Sequence, residues 1–125
     1  MKNTTRLAAV LMVAAWLGAC ASTPPATEFP AGARTPAAAE IGPLLKGRSF
    51  NLSSGGIRTD YAADSNVVTA YFSGRSDQGI WRTEDGRICF EFKTVPSACN
   101  DLRVVGNEIY LKRSNGSVVK LEPRQ

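Results

Sequence analysis

From residue 48 to the end, apolar side chains recur at every second position, and tight-turn signals interrupt them at intervals of roughly 8–12 residues. A period of two sends alternate side chains to opposite faces of an extended strand, so this region cannot be helical. Candidate strands cover residues 48–52, 57–61, 67–73, 79–83, 87–93, 102–105, 108–113 and 117–121. Between them stand Ser54-Gly55-Gly56, Asp64-Ser65-Asn66, Gly74-Arg75-Ser76-Asp77, Asp85-Gly86, Gly106-Asn107 and Asn115-Gly116. Asp-Gly and Asn-Gly suit the type I′ hairpin, which needs positive φ at both central residues. Just upstream, Ile41-Gly42-Pro43-Leu44-Leu45-Lys46-Gly47 reads as one or two helical turns, with Pro43 near the start and Gly47 at C′. The expected fold is mainly β: a small antiparallel β-meander or barrel-like domain, with a short N-terminal helical turn.

Alternation also sorts the faces. Ile88, Phe90 and Phe92 point inward, with Cys89 and Glu91 opposite; Leu102, Val104, Ile109 and Leu111 point inward, while Arg103, Tyr110 and Lys112 face out. The expected core is aromatic for its size, built on Phe50, Phe72, Trp81, Phe90 and Phe92. Tyr61, Trp81 and Tyr110 each precede a turn residue by five positions, a pattern that cross-strand aromatic packing beside turns explains.

The N-terminal 40 residues follow other rules. Lys2 and Arg6 make a positive start, and residues 7–16 are an unbroken apolar run, too short for the ~20 residues that span a bilayer. Leu17-Gly18-Ala19-Cys20 then places small residues before a cysteine, the shape of a cleavage site. Residues 1–19 are therefore read as a signal peptide and 20–40 as a disordered tether, since 21–40 contain seven Ala and four Pro. Residues 41–125 are left as the β domain, small enough to be marginal without help.

Cys89 and Cys99 form an even pair, and in an oxidising compartment a bridge between them is expected on the outer face of the sheet. It would close a loop of about 11 residues, worth roughly 3 kcal/mol on the chain-entropy account. Two free buried thiols are the alternative; two cysteines without histidine make a poor zinc site.

Composition excludes more chemistry than it suggests. The chain has no histidine, which removes Ser-His-Asp and Cys-His systems and histidine metal sites. Gly74-Arg75-Ser76-Asp77-Gln78-Gly79 misses the G-x-S-x-G spacing, and Ser54-Gly55-Gly56 is no phosphate loop. Asp60, Asp64 and Asn66 imitate a calcium loop only loosely, lacking its closing Glu. No cofactor and no metal is expected. Removing Lys2 and Arg6 leaves thirteen basic against eleven acidic side chains without a basic run, so nucleic acid is not an expected partner. A carboxylate-dependent hydrolase using Glu84, Asp85 or Asp64 is the residual enzymatic alternative. The more natural reading is a binding surface of outward arginine and tyrosine: Arg58, Arg75, Arg82, Arg87, Arg103, Tyr110 and Arg113.

The stretch Leu17-Gly18-Ala19-Cys20 resembles the lipobox of bacterial lipoproteins. That resemblance implies cleavage before Cys20 by the lipoprotein processing machinery, a diacylglycerol thioether on Cys20 and acylation of the new amine by palmitate-like chains. Several chains anchor stably where one would not. Ala21 and Ser22 stand where an inner-membrane-retaining aspartate sits in that family, which implies sorting to the outer membrane, facing the periplasm. Residues 47–50, Tyr61, Gly79-Ile80-Trp81, Gly86-Arg87-Ile88-Cys89-Phe90 and Cys99 resemble small exported proteobacterial β domains of unknown function. A weaker resemblance, through the Gly79-Ile80-Trp81 strand and the cysteine pair, is to Inh-type protease inhibitors; here the cysteines are closer together and the domain is shorter. The function these likenesses imply is a lipid-anchored, non-enzymatic envelope protein that contacts an envelope protein or cell-wall ligand. The alternative is an inhibitor of proteases or wall-lytic enzymes.

Overall fold

The computed structural model describes residues 24–125. The leader, the lipobox and Cys20 lie outside the described residues. One helix, α1 (Ala38–Leu45), is followed by eight strands: β1 (Ser49–Leu52), β2 (Arg58–Tyr61), β3 (Val67–Phe72), β4 (Arg75–Glu84), β5 (Arg87–Phe92), β6 (Ala98–Val105), β7 (Glu108–Lys112) and β8 (Val118–Pro123). Each strand pairs antiparallel with the next, and β8 returns to β1 through Phe50↔Pro123, Asn51↔Glu122 and Leu52↔Leu121, so the meander closes into a barrel. Closure leaves no sheet edge for another chain to extend. All eight expected strands are present.

Two boundaries differ from expectation, for local reasons. Strand β4 begins at Arg75, so Arg75, Ser76 and Asp77 are ladder residues, not turn. The reversal is confined to Ser73 (φ 48°) and Gly74 (φ 72°), both left-handed. Strand β6 begins at Ala98, four residues early, because its first half pairs with β5 through Cys89↔Cys99 and Phe90↔Ala98.

The barrel has two unlike ends. At the end where β4 turns into β5, α1 lies across the opening and buries Ile41 and Leu45 completely among Phe50, Trp81, Ile88, Leu102 and Val104. Full burial of each side chain contributes about 1.5–3 kcal/mol. Propensity does not explain this helix, because Gly42 and Pro43 are poor interior residues. The barrel holds it instead: the Asp85 carboxylate accepts the Ala38 N–H at 2.8 Å, and Thr83 donates its hydroxyl to the Ala38 carbonyl at 3.1 Å. The helix therefore starts three residues before the expected Ile41, which places Pro43 in its interior rather than near its start. Gly47 terminates it at φ 74°, as the C′ position requires.

The disordered tether expected through Glu40 is corrected here. The Ala26 carbonyl accepts the Val118 N–H at 2.7 Å, Arg34 exchanges two backbone hydrogen bonds with Val104, and the Pro36 carbonyl accepts the Gly86 N–H at 2.7 Å. Pro36 is fully buried. The physical reason lies in the sheet: β6 outlasts β5, leaving Val104 groups unpaired on that side, and residues 34–36 supply the missing partners. Among the described residues no helix is long and apolar enough to cross a membrane.

Candidate functional site

The opposite end of the barrel is not filled. A cavity of about 430 Å³ opens there, within the range of small-molecule pockets. Leu52, Ile57, Phe72, Phe90, Phe92 and Leu111 supply most of its wall, with Ala70 the small residue that leaves the space. Phe90 and Phe92 stack at 5.7 Å on one side. Gly79, opposite Phe92 on β4, has no side chain to displace that ring; a Cβ there would come within 2.8 Å of it.

Polar side chains along this cavity are few: Thr59 and Tyr61 from β2, Asn100 from β6, and Ser73 and Arg113 at the rim. The Thr59 and Tyr61 hydroxyls are closed off from the space; each is the other's neighbour, without a hydrogen bond of good geometry. Both residues point inward from β2, and Tyr61 is clamped edge-on between Phe50 at 6.0 Å and Trp81 at 5.9 Å. Burial raises the Tyr61 phenol well above its ordinary range, so it is a neutral donor and acceptor at every physiological pH. At the rim stands Arg113, half-buried and lining the opening.

The rim is fixed by two devices. Asp77 accepts the N–H groups of Thr94 and Val95, each at 2.9 Å, which holds the β5–β6 loop against the mouth. Those hydrogen bonds, the one from Val95 foremost, keep the Asp77 carboxyl below its ordinary value. At the root of the same loop Cys89 and Cys99 face each other across β5 and β6, with Cα atoms 3.9 Å apart, and are joined as a disulfide on the outer face.

The outward arginines are not gathered into one patch. Arg58 pairs with Asp60 at 3.0 Å and lies 3.9 Å over the Tyr71 ring. Arg82 pairs with Glu84 at 2.9 Å, and Arg87 lies between Glu84 and Asp101, 3.5 Å from each. Arg103 donates to the carbonyls of Gly86 and Leu102 and covers Phe29. Tyr110 donates to Glu108 at 2.7 Å, and Glu108 also pairs with Lys120 at 2.8 Å. Arg75 and Arg113 have no ion pair among the described residues, and both stand at the open end. The carboxylates considered for hydrolysis are apart from the cavity: Asp85 caps α1, Glu84 is engaged by two arginines, and Asp64 is exposed on the β2–β3 loop.

No protein-family model and no curated protein matches the chain. Among solved structures it is similar to a protein from Burkholderia xenovorans determined by NMR. The two share 13% identity over 82% of this chain and 99% of that one, with a TM-score of 0.51. That likeness concerns the fold alone.

Proposed function

We propose that the chain is a lipid-anchored, non-enzymatic lipoprotein of the cell envelope, held through Cys20 on the outer membrane, whose barrel mouth binds another envelope component. The anchor rests on the leader pattern ending in Leu17-Gly18-Ala19-Cys20. The binding role rests on one observation: a barrel stoppered at one end keeps an apolar cavity at the other. A barrel required only for structure has no use for that space, since filling it would add stability.

The test uses the mature chain with Cys20→Ser, which contains every strand, the stopper and the ordered segment before it. A neutral environment-sensitive dye should bind saturably, one per chain, and Ala70→Trp should block it while leaving the fold intact by circular dichroism. Absence of saturable binding, or equal binding to the blocked variant, would refute the reading. Mass spectrometry of the protein from its host should show an acylated Cys20 as the first residue; an intact leader overturns the anchor.

A further inference from the structure

The position of the mouth relative to the anchor, together with its polar groups, narrows the occupant. Ala26 is hydrogen-bonded to Val118, the residue after Ser117 in the turn that follows Arg113. The ordered segment therefore enters the barrel at its open end. Only five residues stand between Cys20 and Ala26, and the six links have a reach of at most about 21 Å when fully extended. A barrel so tied holds its mouth close to the bilayer, with the α1 stopper on the far side.

The lining then states what the mouth can take. Its walls are hydrocarbon, which favours an aliphatic chain. Arg113 at the rim carries a positive charge with no carboxylate partner among the described residues, and Arg75 adds a second at the same end, beside Phe72 and Pro96. A half-buried guanidinium without a counter-ion is matched by an anionic head, which it binds through charge-assisted hydrogen bonds. Deeper in, the Thr59 and Tyr61 hydroxyls lie beside each other and are closed off from the space, so they offer a bound chain no polar partner.

Resting on the binding role and the anchor proposed above, we infer that the mouth takes a single-chain amphiphilic anion from the adjoining bilayer, its head against Arg113 and its hydrocarbon along Phe72, Phe90 and Phe92.

Binding can be read from Trp81, the only tryptophan after the leader, which contacts Tyr61. The mature chain with Cys20→Ser is titrated with a fatty acid and its methyl ester. The acid should bind about tenfold tighter than the ester, the factor that one charge-assisted hydrogen bond supplies. Arg113→Gln should abolish that preference and Arg113→Lys keep part of it. On vesicles, the lipidated chain should respond to acid held in its own bilayer.

Equal binding of acid and ester, a preference surviving Arg113→Gln, or a response confined to acid dissolved in water each overturns the inference. If the neutral dye still binds in those cases, the barrel-mouth reading survives without it. If neither the dye nor either compound binds, both fail.

Discussion

The two ends of the barrel are built from the same strands and do opposite things. At the stoppered end, Ile41, Leu45, Phe50, Val104 and Leu102 pack without exposure, and the Ala38 N–H is met by a side chain of the facing turn. At the open end, aromatic rings line an opening instead of closing it. The contrast separates residues that close the core from residues that line a space. Stability is concentrated at one end, which frees the other from packing.

That division can be broken most sharply at the stopper. Leu45→Ala should cost about 3 kcal/mol in urea unfolding, because a fully buried leucine leaves a cavity among rigid neighbours. A cost below about 1 kcal/mol would mean that α1 is not integral to the barrel. Next in size is the disulfide. Replacing Cys89 and Cys99 together by Ala should cost about 2–3 kcal/mol in the same assay, with faster hydrogen exchange confined to the β5–β6 loop. Uniform acceleration across the barrel would contradict that placement.

At the open end the expected effects are smaller. Ala70→Leu projects into empty space, so stability should change by less than about 1 kcal/mol while dye binding is lost. Tyr61→Phe deletes a hydroxyl whose one neighbour, Thr59, is not in good hydrogen-bond geometry, and should also fall within about 1 kcal/mol. A loss well above that would show that the two hydroxyls bond to each other in solution. The smallest effect is that of pH on the rim. The Asp77 carboxyl is lowered by backbone donors, so its contribution is fully present above the ordinary value of 3.8 and fades as pH falls through the lower folded value. Amide protection at Thr94 and Val95 should hold from neutrality to about pH 5 and decline only below 3.8. Loss already near neutrality would show that Asp77 does not hold the loop.

How much of this was legible in the sequence follows the range of the forces involved. Period two and turn dipeptides are local, and they placed every strand; Ile88, Phe90, Leu102, Val104, Ile109 and Leu111 all face the interior as alternation requires. The pairing of Cys89 with Cys99 was likewise readable, because two cysteines ten apart flank one hairpin. The ordering of residues 26–37 was not. Its Ala and Pro content carries no core signal, and its order comes from backbone groups left open where β6 outlasts β5, a property of sheet register. The arginines show the same limit: Arg87 meets Asp101 only because β5 and β6 align in that register. The cavity left one faint trace, two hydroxyl residues at inward positions of β2, where an apolar side chain would be ordinary.

The segment before α1 also sets how the molecule bears load. It is stitched to the barrel at Ala26, then at Arg34, then at Pro36, in that order from its N-terminal side. On the anchoring proposed at Cys20, a tug from the bilayer meets these stitches one after another and unzips them in sequence, a low-force route. The helix behind them is shielded until the last stitch has gone, so about ten residues, at roughly 3.5 Å each, are released before the barrel itself is strained.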